Sequence, residues 1–206
     1  MKPTLFWPAW LLLACGEQPQ SPSLLRIPHR SSDGVVIDGS VSQEEWEGAH
    51  RITVAPDVTV QVFQSDKDLL LAVRLTTPSP SYVDLFLLLD DGKRVNLHAS
   101  MQVGERELPA EGWTDHKPPT HWGRQVHWRA NAVKDAPDKK ATTPVSEMFI
   151  PYEGFEFRLS KQRFGGRSLR LRVEVRDFTA RRADLVFPAG STRFDAKSWA
   201  ELSLNP

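Results

Sequence analysis

The sequence predicts an all-β protein built as a single jelly-roll-like β-sandwich. Three observations support this prediction. Several short stretches alternate apolar and polar residues with a period of two, which is typical of half-buried strands. Turn-forming residues separate these stretches at fairly regular intervals, and no apolar stripe with helical spacing extends over ten residues. Many short strands with regular turns are typical of sandwiches and barrels.

The clearest alternation lies in the second half of the chain. Apolar residues from Leu169 to Val175 alternate with charged ones, which predicts a strand with one core face and one charged, solvated face. Asp90-Asp91-Gly92 predicts a tight turn, because Asp-Gly tolerates positive φ. Pro78 and Pro80 predict the end of the first hairpin. The other predicted strands cover 58–62, 69–75, 82–89, 95–101, 122–129, 145–152, 183–187 and 199–204.

The N-terminus predicts a secretory signal. Lys2 precedes a short apolar run from Phe6 to Leu13, and this run is too short to span a bilayer permanently. Leu12-Leu13-Ala14-Cys15 then resembles the bacterial lipobox, in which the cysteine thiol takes a diacylglycerol. Because Gly16 rather than Asp follows the cysteine, we expect the outer membrane rather than the inner one.

The chain is therefore expected to have three segments. Residues 1–14 are the predicted signal peptide, residues 15–32 the lipidated Cys15 with a flexible tether, and residues 33–206 the sandwich domain. The tether is expected because this stretch is polar, contains three prolines and shows no sustained period. The expected location is the bacterial cell envelope, with the membrane reached through the lipid anchor.

Composition narrows the class of partner. Lysine plus arginine equal aspartate plus glutamate at 26 each, so no basic excess exists to neutralise phosphates, and we expect no nucleic-acid partner. A hydrophobic content of 40% is ordinary for a globular domain. With Cys15 as its one cysteine, the chain forms no intramolecular disulfide and no thiolate metal cluster.

Two tryptophans are predicted to mark the core. The stretch from Val35 to His50 has an apolar run, an Asp-Gly turn and then Trp46 and Ala49. Trp199 lies in the closing apolar segment. Tryptophans on apolar faces are usually buried, so we expect both in the core, packed in the same sandwich and joining the ends of the domain.

The order of these landmarks resembles the family 9 carbohydrate-binding-module-like domains, which are jelly-roll-type sandwiches related to DOMON domains. The resemblance covers roughly residues 33–204. The matching landmarks are Ile37-Asp38-Gly39, Trp46 and Ala49, the hairpin from Asp66 to Val73, Glu147 to Pro151, Leu171 to Asp177, and the closing Pro188 to Leu202.

The resemblance implies a sugar clamped between tryptophans, because an aromatic face covers the C–H face of a pyranose while polar groups satisfy its hydroxyls. Trp113 lies in a loop rich in Pro and Gly, and Trp122 opens the next predicted strand, so these two are the candidate platform for a carbohydrate or another small ligand. A second clamp tryptophan late in the chain is lacking, and Phe178 would replace it only weakly.

The sequence supports a metal site less strongly than a sugar-binding site, and we expect no cofactor. Asp115, His116, His121 and His127 are close in sequence, but their spacing matches no established zinc or copper pattern. A structural calcium ion is an alternative at two acidic turns, since calcium takes several carboxylate and carbonyl oxygens. The carboxylates concerned are Asp66, Asp68, Asp90 and Asp91. Turn chemistry explains these four residues equally well.

Three functions follow from these observations. The first is a non-catalytic, membrane-anchored lipoprotein that binds a glycan or small ligand. The second is an envelope structural or assembly protein that uses the sandwich to bind a protein partner. The third is a haem-binding electron carrier of the DOMON-like type, for which Met101 and Met148 are the available sulfur ligands.

The arginines between Arg163 and Arg182 suggest a basic face for acidic polysaccharide or lipid phosphate, with a solvated strand face as the default. We expect no enzyme activity, because no nucleophile elbow, zinc-protease motif or phosphate loop is present.

Overall fold

The computed structural model describes residues 24–100, 102–108, 127–131, 152–178 and 183–204. Within these residues the chain forms twelve strands, one short α-helix, α1 (Lys161–Phe164), and one 3₁₀ turn at Ala196–Ser198. The strands are β1 (Leu24–Arg26), β2 (His50–Ala55), β3 (Val58–Gln64), β4 (Asp68–Ser79), β5 (Ser81–Leu88), β6 (Arg94–Ala99), β7 (Val103–Leu108), β8 (Trp128–Ala130), β9 (Tyr152–Ser160), β10 (Ser168–Asp177), β11 (Leu185–Phe187) and β12 (Ala200–Ser203). The prediction of an all-β sandwich is confirmed.

The strands form two sheets. The seven-stranded sheet has the order β1-β12-β10-β5-β6-β7, and β11 pairs with β10 beside β12. The five-stranded sheet has the order β2-β3-β4-β9-β8. Among the described strands every pair is antiparallel except β1 with β12. The first and last strands of the described chain are therefore neighbours.

The main core lies between the two sheets. In β10, Leu169, Leu171, Val173 and Val175 point inward and are buried, as the sequence alternation predicts. Inward residues of β3, β4, β5, β6 and β9 complete this cluster with Val, Leu and Phe side chains. The even-numbered residues of β5, β6 and β10 consequently occupy the outer face of the seven-stranded sheet, since side chains alternate along a strand.

Trp46 and Trp199 are both fully buried, which confirms their expected place in the core. Both lie in the same sandwich, but they do not join the ends of the domain as expected, because they cover the outer faces of different sheets. Trp46 contacts Phe63 on the outer face of the five-stranded sheet, with ring centroids 5.3 Å apart. Trp199 packs with Phe86 on the outer face of the seven-stranded sheet, at 6.2 Å. The ends of the domain are joined by the pairing of β1 with β12 instead.

Other details of the chain order differ from the sequence prediction. A flexible tether was expected through residue 32, but residues 24–27 belong to the folded domain. β1 pairs with β12, Ile27 is buried, and the Gln64 side-chain amide donates to the Ile27 carbonyl at 2.8 Å. β4 continues through Pro78, which was expected to end it. β2, β7 and most of β9 were not predicted. Of the strands expected at 122–129 and 145–152, the structure describes only residues 127–129 and 152.

Residues 188–199 cross the outer face of the seven-stranded sheet, and we call this segment the strap. It connects β11 to β12, which both pair along the same edge of β10. Trp199 inserts beside Phe86, and its indole N–H donates to the Thr192 carbonyl at 2.7 Å. Arg170 and Arg172 of β10 donate to the strap carbonyls of Ala196 and Ser191. The middle of the charged face of β10, at Arg172 and Glu174, is therefore covered rather than solvated, contrary to the default expectation.

Candidate functional site

A groove of about 530 Å³ lies on the outer face of the seven-stranded sheet, beside the strap. Its lining is supplied by β5, β6, β7, the end of β10 and the strap. The described residues that line it are Tyr82, Asp84, His98, Ser100, Gln102, Arg106, Arg176, Phe178 and Arg193. Aromatic, acidic, basic and hydroxyl groups thus converge on one cleft, and convergent polar groups beside aromatic rings in a concave site indicate a candidate ligand site.

Strand register explains why these residues meet. Arg176 of β10 lies opposite Tyr82 of β5. One step along, Asp84 lies opposite both Glu174 on one side and His98 on the other. In the next row Phe86 lies between Arg172 and Asn96, and Asn96 faces Arg106 of β7. Cross-strand neighbours on one face have Cβ atoms about 5 Å apart, so the rows form a continuous surface.

Three rings form a row across this surface. The Tyr82 ring lies 4.9 Å from Phe178 and 5.3 Å from His98, measured between centroids, and both pairs are tilted by about 45°. The Phe178 side chain is 42% exposed, which is unusual for phenylalanine. Burial raises the pKa of Tyr82, and the hydrogen bond and charge of Arg176 oppose this shift. The row therefore presents apolar ring surface with polar groups along it.

A hydrogen-bonded chain lies on the groove floor. His98 Nδ1 is 2.9 Å from Asp84 Oδ1, and His98 Nε2 is 2.9 Å from the Ser100 hydroxyl. This connectivity is that of a Ser–His–Asp triad. The Ser100 hydroxyl, however, accepts from the Gln102 N–H at 3.1 Å and is close to the Gln102 carbonyl at 3.2 Å, and Ser100 is buried. We therefore interpret these hydrogen-bonded side chains as a scaffold that fixes the β6–β7 turn and the position of the His98 imidazole.

Beneath the groove, Glu174 is surrounded by three guanidinium groups. Arg193 of the strap forms a forked hydrogen bond with it, Arg172 contacts its Oε1, and Arg176 Nε lies 3.5 Å from its Oε2. Glu174 and Arg172 are 2% and 4% exposed. Burial alone would raise the pKa of Glu174, but the hydrogen bond from Arg193 and the charge of Arg172 outweigh it and hold this pKa below its usual value. The carboxylate therefore stays ionised and fixes the strap to the sheet.

A second, smaller cleft of about 430 Å³ lies at the β8 edge of the five-stranded sheet. It is lined by Asp68, His127, Trp128, Arg129, Arg158 and Ser160. His127 has a positive φ of 60°, and its carbonyl accepts from the Ser160 N–H at 2.8 Å. Among the described residues, this cleft contains the exposed His127 and an Arg158–Asp68 contact of 3.9 Å, but no row of rings.

Eight of the residues singled out from the sequence lie outside the described residues. These are Cys15, Met101, Trp113, Asp115, His116, His121, Trp122 and Met148. Phe178, the weak substitute, lines the groove. The groove itself was not predicted, because Tyr82 and Phe178 are far apart in sequence. The signal available in the sequence is the polar set Asn96, His98 and Ser100 at alternate positions of 95–101, a pattern that indicates a strand face open to solvent or a ligand.

The acidic turns have identifiable structural roles. Asp66 pairs with His29, Asp68 with Arg158, and Asp91 with Lys93, while Asp90 accepts the Arg167 N–H at 3.2 Å. Within the described ranges, no group of three or more His, Cys, Asp or Glu side chains is arranged to hold a metal ion. The calcium alternative remains a prediction without a geometric counterpart in this part of the chain.

Comparison with solved structures identifies the architecture. A family 9 carbohydrate-binding module from Caldicellulosiruptor kristjanssonii, solved in complex with cellotriose, superposes on 88% of this chain and 93% of its own with a TM-score of 0.53. The chain has the fold of a family 9 carbohydrate-binding module. Sequence identity is 15%, so the likeness is one of fold. The family resemblance inferred from the landmarks is confirmed at that level.

No protein-family model and no curated protein sequence matches the chain. In the part of the chain that the structure describes, no helix has both the length and the apolar character needed to cross a membrane.

Proposed function

We propose that the chain is a non-catalytic glycan-binding module that binds its ligand in the groove beside the strap. The observation that carries this proposal is the row formed by Phe178, Tyr82 and His98, with an exposed phenylalanine at its end. The C–H face of a pyranose packs against such rings. The fold supports the proposal, since the superposed family 9 module was solved with a bound oligosaccharide.

The polar lining suits the rest of a sugar. Gln102 and Arg176 supply amide and guanidinium groups at the sides of the rings, and Asp84 supplies a carboxylate on the floor. Hydroxyl groups both donate and accept, so a site with both kinds of partner can satisfy them when they leave water. The tryptophans Trp113 and Trp122 remain candidates for a further aromatic contact to the same ligand.

Replacing Phe178 with alanine is expected to weaken glycan binding about tenfold or more, because the exposed end of the ring row is lost. The measurement is isothermal titration calorimetry with cello-oligosaccharides and a panel of plant and bacterial glycans. Phe194→Ala is the matched control, since Phe194 is similarly exposed at 49% but does not line the groove. Equal loss in both variants would contradict the assignment of the groove.

The module is also proposed to be attached to the outer membrane through lipidated Cys15. The short apolar run, the lipobox-like sequence and the cysteine coincide in one stretch, which supports processing as a lipoprotein. β1, which pairs with β12, starts nine residues after Cys15 in the sequence, so a lipid on Cys15 would hold the domain near the membrane surface. An anchored module in this position would keep a glycan at the envelope.

Changing Cys15 to alanine is expected to release the protein from the membrane, because the acceptor of the lipid is removed. Fractionation of bacterial cells that express the full chain, followed by detection in the membrane and soluble fractions, measures this. Cys15→Ser serves as a second variant that keeps the size of the side chain. Membrane association that persists in both variants would contradict the lipid anchor.

A further inference from the structure

We infer that Asp84 determines which sugars the groove binds, because one hydroxyl group of a neutral hexopyranose donates to Asp84 Oδ2 and accepts from Arg193. This inference rests on the proposed glycan-binding function and specifies the class of ligand. Its basis is a carboxylate on the groove floor whose two oxygens have different surroundings. Asp84 is 4% exposed, and both Asp84 and Arg193 line the groove.

The protein itself occupies one oxygen of the Asp84 carboxylate. Oδ1 accepts from the Asn96 side-chain amide at 3.2 Å and lies 2.9 Å from His98 Nδ1. Asn96 is fully buried, and its amide also donates to the carbonyls of Leu85 and Leu97. The carboxylate is therefore held in one orientation before a ligand arrives. In the part of the chain that the structure describes, no hydrogen bond reaches Oδ2.

The guanidinium of Arg193 is likewise occupied on one side. Its Nε and Nη2 donate to the carboxylate of Glu174, which lies opposite Asp84 in the strand register. The hydrogen bonds between described residues leave Nη1 of Arg193 unused. The hydrogen bond to Glu174 raises the pKa of Arg193, and the charge of Asp84 adds to this effect, which indicates that the two groups are close.

Both unused atoms are accessible from the groove. Among the described residues, the fully buried side-chain nitrogen and oxygen atoms that lack a hydrogen-bond partner belong to Arg158, Arg172 and Arg176. Asp84 Oδ2 and Arg193 Nη1 are not among these atoms, although neither has a partner within the protein. The groove therefore presents an open acceptor beside an open donor.

The chemistry of this pair selects a hydroxyl group. A hydroxyl donates one hydrogen bond and accepts others, so it can serve Asp84 and Arg193 at the same time. A carboxylate on the ligand has no proton to donate to Asp84, and an ammonium group has no lone pair to accept from Arg193. Hydrogen bonds to charged partners are stronger than neutral ones. A neutral sugar is therefore the class of ligand that fits.

The ring row places a sugar next to this pair. Tyr82 and Asp84 are two residues apart on β5, so they lie on the same face at a spacing of about 7 Å. A pyranose with its C–H face against Tyr82 and Phe178 directs the hydroxyls of one edge along the sheet. The rings thus determine where the sugar lies, and Asp84 determines which hydroxyl must be present.

The test uses methyl β-D-glucopyranoside, methyl β-D-galactopyranoside and a series of derivatives that each lack one hydroxyl group. NMR titration of the full chain measures the affinity of each probe. The derivative that lacks the hydroxyl facing Asp84 should bind about tenfold to a hundredfold more weakly than its parent, because the carboxylate is left desolvated and unpaired. The other derivatives should lose only a few-fold. This series tests the contact without any substitution in the protein.

Variants assign the lost contact to Asp84. Asp84→Asn keeps one oxygen for Asn96 and His98 and replaces Oδ2 with an amide donor, so the ratio between parent and sensitive derivative should fall to about threefold or less. Asp84→Ala should bring this ratio close to one. Glu201→Gln is the matched control, because it removes the same charge from the same sheet at a position outside the groove lining. It should leave the ratio unchanged, and circular dichroism establishes that each variant is folded.

The outcomes separate this inference from the proposed function. A small and similar loss for every derivative would overturn the role of Asp84 while leaving glycan binding in place. A large loss for one derivative that persists in both Asp84 variants would do the same. If neither pyranoside binds but another glycan of the panel does, the hexopyranose class is wrong. Binding of no probe and no member of the panel would overturn the proposed function itself.

Discussion

Replacing Glu174 with alanine is expected to lower the free energy of unfolding by about 3–5 kcal/mol, because it leaves buried guanidinium groups without their counter-charge. Arg172 is buried with Glu174, and Arg193 and Arg176 share the same carboxylate. Arg193 is also the strap's ionic contact with β10, so the strap should detach from the sheet. The loss should therefore appear both in global stability and in the groove.

Chemical denaturation followed by circular dichroism measures the first effect, and hydrogen exchange at residues 188–199 measures the second. Glu201→Ala is the matched control. Glu201 also pairs with an arginine across the same sheet, Arg170, but at 3.8 Å and with a side chain 37% exposed. Exposed pairs contribute about 0–1 kcal/mol, so this variant should be close to wild type. A similar loss in both variants would contradict the central role of the buried cluster.

The stabilisation by Glu174 should also depend on pH. Because the pKa of Glu174 is held below its usual value in the fold, the unfolded chain takes up a proton more readily than the folded one. The contribution of this carboxylate is therefore present above the pKa of the unfolded chain and is lost as the pH falls through the folded value. The stability difference between the wild type and Glu174→Gln should shrink in acid.

The buried charges also show where sequence reasoning reaches its limit. Alternation from Leu169 to Val175 predicted the strand, its core face and its charged face, because the period of two depends on local geometry alone. Whether the charged face is exposed to solvent depends on which segment of the chain packs over it. The strap lies about twenty residues later in the chain, and no local pattern at Arg172 or Glu174 indicates that they are covered.

The two tryptophans illustrate the same limit. Their burial could be predicted from residue type, but the sheet that each covers could not, because outer-face clusters have the same apolar composition as the central core. β1 was missed for a related reason. Its three residues lie in a proline-containing polar stretch and form a strand only because their backbone pairs with β12. Propensity is a weak guide to such a strand.

The groove could be predicted only in fragments. Polar residues at alternate positions of β6 indicated a face for solvent or a ligand. The pairing of Tyr82 with Phe178 depends on register between β5 and β10, which are separated by eighty residues or more of sequence. The arrangement of Arg172, Arg176 and Arg193 around Glu174 depends on the β10 strand and on the strap together. The groove therefore forms only when strands from three parts of the chain are adjacent.

On the opposite side of the sandwich, a second buried carboxylate fixes the opening turn of the domain. Glu156 of β9 is fully buried. Its Oε1 accepts from the Trp46 indole N–H at 2.9 Å, and its Oε2 accepts from the backbone N–H groups of Asp38 and Gly39 at 2.9 and 2.8 Å. The Asp-Gly turn and the tryptophan, which stand out in the sequence as a pair, thus donate three hydrogen bonds to one carboxylate.

Replacing Glu156 with alanine is expected to destabilise the fold by about 3–5 kcal/mol, because three donors lose their acceptor and an unsatisfied buried donor costs about 1–3 kcal/mol. Glu156→Gln should lose less, since its one carbonyl oxygen can still serve either Trp46 or the turn. Glu153→Ala, an exposed position on the same strand, is the control for denaturation experiments. A loss for Glu156→Ala no larger than that for Glu153→Ala would contradict this role.

The pH dependence of this site should have the opposite sign to that of Glu174. Burial raises the pKa of Glu156, although the Trp46 and Gly39 donors lower it in part. The folded state therefore binds a proton more readily than the unfolded chain, so the contribution is largest below the unfolded pKa and declines as the pH rises through the folded value. The stability difference between the wild type and Glu156→Gln should grow in acid, while the corresponding difference for Glu174→Gln shrinks. If the stability differences of Glu174→Gln and Glu156→Gln changed with pH in the same direction, one of the two pKa directions would be wrong. Glu174 is surrounded by cations and Glu156 by neutral donors, so their contributions should respond to pH in opposite ways.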